Sequence, residues 1–160
     1  MITVLQRVQH AKVEIDGKTV GATEQGLLIL LGVAEGDTRV EADKLVKKIA
    51  NLRIFEDENG KMNLSLLDIG GGVLVVSQFT LCADCTHGRR PSFTRSAPPA
   101  QANELYEYFT RALGEQGVSH IETGVFGADM AVTLLNDGPV TIILLSLIHI
   151  SEPTRHAQIS

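Results

Sequence analysis

The sequence predicts an α+β domain, a mainly antiparallel sheet or barrel with two helices packed on it. Three observations carry that expectation: strand patterns joined by short hairpin turns, two well-separated amphipathic helices, and one run apolar on both faces. Residues 3–15 alternate imperfectly between apolar and polar, and Asp16-Gly17 then supplies the pair that a tight hairpin turn needs before Lys18-Thr19-Val20. Leu27 to Val33, bounded by Gly26 and Gly36, is too short for a helix apolar all round and fits a strand buried on both sides. Thr38 followed three residues later by Glu41 is a capping box, and Val40, Leu45, Val46 and Ile49 then recur at helical spacing. Glu56-Asp57-Glu58-Asn59-Gly60-Lys61 reads as a solvated hairpin turn. Gly70-Gly71-Gly72 introduces Val73 to Phe79, a β-branched interior strand, and the glycines precede a strand where a dinucleotide fingerprint would join a strand to a helix.

Residues 82–100 hold Pro91, Pro98 and Pro99 among small and basic residues, which makes them the longest loop and a place where function is common. Pro99 opens a second helix whose apolar face is Leu105, Tyr108, Phe109, Ala112 and Leu113. Strand patterns follow at Val118 to Glu122, Met130 to Leu134 and Val140 to Leu144, the last two separated by an Asn136-Asp137-Gly138-Pro139 turn. This order disfavours a doubly wound parallel sheet.

Composition agrees with one ordinary globular domain: 160 residues, 44% hydrophobic, 21% charged, two cysteines. No apolar run approaches a membrane span and the first residues lack a signal-peptide pattern, so a cytoplasmic protein is expected. A net charge of −5 argues against gripping nucleic acid, DNA included, through bulk electrostatics, while leaving room for a local basic patch.

Four constellations bear on chemistry. Cys82-Ala83-Asp84-Cys85 has the spacing of half a zinc site or of a dithiol, but there is no second pair and a Pro-rich loop follows, so incidental thiols are the better reading. No histidine pair has metal-hydrolase spacing, and neither a metal nor another cofactor is expected. Ser77-Gln78-Phe79-Thr80 sits where a buried strand gives way to a loop. Backbone N–H groups released from the ladder there can build an oxyanion hole, although a hydroxyl that merely satisfies local backbone groups is the commoner outcome. Gly88-Arg89-Arg90-Pro91-Ser92-Phe93-Thr94-Arg95 gathers three arginine forks suited to phosphate around an aromatic ring suited to a base or sugar; a solvated loop fits the residues equally well. Gly138-Pro139 leaves cis and trans both open.

Taken in order, Ser77 to Leu81, Gly88 to Phe93, Thr123-Gly124-Val125-Phe126-Gly127-Ala128-Asp129-Met130 and Asn136 to Thr141 resemble the motifs of the D-aminoacyl-tRNA deacylase family, with Arg7-Val8 and Asn59 to Asn63 also in place. The resemblance runs from Met1 to about Leu144. It implies a homodimeric hydrolase that cleaves the ester between a D-amino acid, or glycine, and the 3′-terminal adenosine of tRNA, as proofreading of aminoacylation. It assigns Ser77, Gln78, Phe79 and Thr80 to the catalytic segment, whose main chain supports the developing oxyanion. Gly138 and a cis Pro139, inserted from the partner subunit, become the filter against L-esters, with Arg7 orienting them and Phe126 and Met130 close by. Arg89, Arg90 and Arg95 are the expected tRNA contacts. No side chain is visibly placed to activate Thr80, so assistance by the tRNA 2′-hydroxyl is the preferred mechanism. The run 145–160 resembles the in-frame translation of a sequencing adapter, and the domain is expected to be 1–144 with a non-native tail behind it. A tRNA-binding module without catalysis and a Cys82/Cys85 redox or metal protein are the competing readings.

Overall fold

The computed structural model describes residues 1–146. It is a mixed α+β domain built on one six-stranded, nearly closed sheet. Strand β1 (Ile2–Ile15) and β2 (Lys18–Thr23) form the expected hairpin, turned by Asp16 and Gly17 at φ +51° and +79°. Strand β3 (Gly26–Gly32) pairs antiparallel with the first half of β1, and β2 pairs with its second half. Helix α1 (Arg39–Asn51) starts at the Thr38–Glu41 capping box. A small hairpin, β4 (Phe55–Glu56) and β5 (Met62–Leu64), encloses the acidic turn. Helix α2 (Leu66–Ile69) precedes β6 (Gly72–Ser77), and helix α3 (Pro99–Glu115) precedes β7 (Ile121–Thr123) and β8 (Ala131–Leu145).

Several expectations need correction. The sheet is mixed, because β6 runs parallel to both β3 and β7. Each of those connections carries a helix across the sheet, which is how parallel neighbours are joined. There are three helices; the third, α2, is a single capped turn from Ser65 with its own capping box to Asp68 and a left-handed Gly70 behind it. On α1 the buried residues are Ala42, Leu45, Val46, Ile49 and Ala50, while Val40 in the first turn is exposed. On α3 it is Tyr106 that is fully buried; Tyr108 is half-buried and its hydroxyl donates to Asp43 at 2.6 Å. The segment 130–144 is one strand interrupted by a bulge, with no turn between two strands: Gln6 faces Thr141 and Val8 faces Asn136, so residues 137–140 stand opposite Arg7 alone. Strand β8 also passes the expected boundary at Leu144, pairing Leu145 with Ile2, and Ser146 donates its N–H to the Met1 carbonyl at 3.1 Å. The remainder of the suspected tail, 147–160, lies outside the described residues.

The both-faces-apolar reading of β3 has a direct cause. Leu27, Ile29 and Leu31 face a core shared with α1 and α3, and Leu28 faces a second cluster inside the barrel with Val8, Val13, Leu74 and Val76. The sheet nearly closes where β2 meets β7. There the Glu122 carboxylate accepts the Ala22 N–H at 2.7 Å, and a Cβ on Gly21 would lie 2.3 Å from the Thr123 carbonyl oxygen, so only glycine permits the approach. The Met1 α-ammonium is buried against Asp37 at 2.8 Å, which ties the start of β1 to the lead into α1.

Candidate active site

A cleft of about 780 Å³ opens at the C-terminal end of β6. It is a size ordinary for small-molecule sites, and its walls are mostly apolar. Ser77, Gln78 and Phe79 line it together with Phe126 and Met130, and Phe93 joins them from the long loop. The strand ends because the chain tightens into a 3-10 turn, Phe79–Cys82, directly after Gln78. The Gln78 N–H is still taken by the Leu31 carbonyl at 2.8 Å, and the turn's own bonds run from Leu81 to Gln78 and from Ala83 to Thr80. By the geometry of such a turn, the N–H groups of Phe79 and Thr80 have no acceptor within it. Of these two adjacent donors, the first belongs to Phe79, which lines the cleft, while Thr80 follows it in the chain and is not part of the lining.

The Gln78 side-chain amide donates to the Thr80 hydroxyl oxygen. Phe79 is 56% exposed and meets Phe93 edge to face at a centroid distance of 5.0 Å. The Ser96 hydroxyl reaches the Phe79 carbonyl at 3.4 Å. The basic loop is closed on itself where Asp84 and Ser92 exchange both backbone hydrogen bonds, and is tied to the cleft where the Glu35 N–H donates to the Arg95 carbonyl. Asp84 lies 3.4 Å from the Arg95 guanidinium. Its carboxyl is held below the usual range by the Thr86 hydroxyl and N–H and, to a smaller degree, by Arg95. Arg89 and Arg90 are exposed on this loop and do not line the cleft.

Arg7, Gly138 and Pro139 form a separate group. Arg7 is only 4% exposed; it donates to the Ile54 carbonyl at 2.8 Å and to the Asp137 carbonyl at 3.1 Å, with the Glu56 and Asp137 carboxylates each 3.6 Å away. The Gly138-Pro139 peptide bond is cis, and both residues are exposed. Gly138 has φ +124°, and a Cβ there would lie 2.9 Å from the Val140 side chain and 3.0 Å from the Arg7 guanidinium. The bulge is thus shaped by a glycine requirement and pinned from beneath by a buried arginine. It contributes nothing to the lining of its own chain's cleft.

The two cysteines do not act as a pair. Cys85 is exposed, whereas Cys82 is buried with its thiol aimed at the Val33 carbonyl, and burial pushes its pKa up, away from thiolate character. Glu35 and Asp129 also line the cleft; Glu35 escaped the sequence reading because a lone carboxylate in a loop carries no spacing signal, and Asp129 stood in the 123–130 motif without a role. Glu56 was taken for part of a solvated turn, and only the fold brings it to Arg7.

Comparison with known proteins places this arrangement. The family model described as D-Tyr-tRNA(Tyr) deacylase matches residues 4–145. The D-aminoacyl-tRNA deacylase of Geotalea uraniireducens (strain Rf4) is 60% identical over 144 residues, 90% of this chain and 92% of that protein. That of Thermosipho africanus (strain TCF52B) is 59% identical over 144 residues, covering 90% and 96%. Among solved structures, one titled c-Myc DNA Unwinding Element Binding Protein superposes with a TM-score of 0.86 at 41% identity, over 91% of this chain and 98% of that one. A probable eukaryotic D-amino acid tRNA deacylase shares the fold, with a TM-score of 0.76 at 15% identity over 89% and 97%. The class is therefore that of hydrolases acting on aminoacyl-tRNA. Within it, the chain belongs to the D-Tyr-tRNA(Tyr) deacylase family.

Proposed function

We propose that the chain hydrolyses the ester linking a D-amino acid or glycine to the 3′-terminal adenosine of tRNA, spares L-esters, and so proofreads aminoacylation in the cytoplasm. The observation that carries this reading is the 137–140 bulge, rigidly pinned by Arg7, exposed, and outside its own cleft. A backbone wall of that kind is suited to work from a second copy of the chain. Strand β8 offers the surface: only β1 pairs with it among the described strands, and Leu135 and Ile143 are exposed along it. In a homodimer, Gly138 and Pro139 would enter the partner's cleft and exclude an L side chain whatever its identity. Glycine, with no side chain, passes the same filter. Rejection by clash is not limited to the roughly 1–3 kcal/mol that filling a small apolar pocket supplies.

Ser77, Gln78, Phe79 and Thr80 form the catalytic segment, with the Phe79 and Thr80 N–H groups receiving the oxyanion that develops on the ester carbonyl. Thr80 is a poor nucleophile here, since its hydroxyl oxygen accepts from the Gln78 amide and no base is bonded to it among the described residues. The tRNA 2′-hydroxyl is the better assistant, because an aminoacyl ester needs positioning more than a new covalent intermediate. Phe126 and Met130 complete the substrate wall. Arg89, Arg90 and Arg95, exposed on the loop that sends Phe93 into the cleft, meet tRNA phosphates.

Deacylation of D-tyrosyl-tRNA and L-tyrosyl-tRNA, followed side by side, tests the reading. Loss of the D-ester alone is expected. A folded dimer that leaves both esters intact would return the chain to the class of tRNA-binding modules without catalysis.

A further inference from the structure

The Tyr106 hydroxyl is a buried polar group for which the reading above gives no role. We propose that Tyr106 is a positioning residue of the cleft, its hydroxyl fixing the point at which the Phe126–Met130 wall departs from the sheet. The hydroxyl lies 3.2 Å from the Val75 carbonyl oxygen and 3.4 Å from that of Gly124. The Gly124 N–H donates to the same Val75 carbonyl at 3.1 Å. One phenol thus joins α3, β6 and the first residue after β7, and Gly124 is held at both of its backbone polar groups.

The wall is referenced to that point from two directions. The Phe126 ring packs on the Tyr106 ring at a centroid distance of 6.0 Å, and a Cβ on Gly124 would lie 2.5 Å from the Met130 sulfur. Phe126 and Met130 both face the cleft. The phenol shares its one proton between the Val75 and Gly124 carbonyls, so removing its oxygen weakens the hold on both, and the favourable response is for the segment to shift towards solvent. Burial also raises the phenol's pKa, so the donor stays protonated through the ordinary pH range.

Tyr106→Phe keeps the ring and deletes only the donor. Hydrogen exchange is expected to quicken about tenfold or more over residues 124–130, with β1 unchanged. The KM for D-tyrosyl-tRNA should rise about fivefold with kcat within about twofold, the pattern of a lost binding geometry and not of a smaller folded fraction. Gly124→Ala, which presses on Met130 from the other side, should raise KM in the same way and serves if Tyr106→Phe fails to fold. Unchanged exchange in 124–130, or exchange that rises equally in β1, would overturn the proposal, as would a fall in kcat at constant KM. The kinetic arm rests on the deacylase reading. A wild-type chain that cleaves no ester defeats that reading, while the exchange arm still decides the role of Tyr106.

Discussion

Strands β3 and β8 both pair with β1, yet they serve opposite ends. In β3 every residue but Leu30 is buried, the strand is flanked on both edges, and its side chains fill two hydrophobic clusters. In β8 only Leu144 is buried, exposed and half-buried residues alternate, and four residues leave the ladder in a bulge. On the proposed reading, the difference separates stability from selectivity within one sheet. An interior strand cannot spare a backbone group, whereas a strand that pairs with β1 alone among the described strands can display a loop of main chain without disturbing the core.

Substitutions sharpen that division. Ile29→Ala in β3 should cost about 2–5 kcal/mol, read as a lower denaturant midpoint, and should reduce activity only in proportion to the folded fraction. A full-strength core after that change would mean that β3 is not the structural strand. Gly138→Ala in β8 should do the reverse. Its Cβ meets Val140 and Arg7 at a φ unsuited to alanine, so discrimination between D- and L-esters is expected to drop about a hundredfold while the melting temperature falls by only a few degrees. Thr80→Ala, next to the cleft residue Phe79, tests a side chain whose hydroxyl accepts from Gln78; activity within about fivefold of the parent is expected, and an aminoacyl adduct trapped on Thr80 would contradict it.

The smallest effect belongs to the basic loop after the 3-10 turn. Asp84 titrates below its ordinary range when folded, so its contribution is complete above the unfolded value near 3.9 and disappears only as the pH falls through the lower folded value. Limited proteolysis of 84–96 between pH 7 and pH 5 should therefore show no change, and Asp84→Asn should loosen the loop equally at both ends of that range.

Local chemistry was legible in the sequence and tertiary assignment was not. Asp16-Gly17, the Thr38–Glu41 box and the apolar Leu27–Val33 run each specify their own conformation and were read correctly. Short α2 carried the same kind of signal, Ser65 and Asp68 ahead of Gly70, and was missed because the helix is only four residues long, too short to show a periodic apolar face. Parallel pairing of β6 left no local mark, since a strand buried on both faces looks alike in either direction. Asn136-Asp137-Gly138-Pro139 has turn chemistry, but the register on either side of Arg7 makes it a bulge, something only pairing with β1 decides. At the site, the motif residues separate into a cleft group, Ser77 to Phe79 with Phe126 and Met130, and a bulge group, Arg7 with Gly138 and Pro139. The cleft positions of Glu35 and Asp129 and the buried phenol of Tyr106 became visible only once the chain was folded.

Because cleft and bulge lie on one polypeptide but do not meet within it, genetics can take them apart. If the bulge acts in trans, a chain disabled at Gln78 cleaves neither ester and a chain altered at Gly138 cleaves both, yet their mixed dimer holds one site intact in both cleft and filter. Two defective alleles in one cell would then restore a share of selective cleavage, whereas two alleles that both damage the cleft would not.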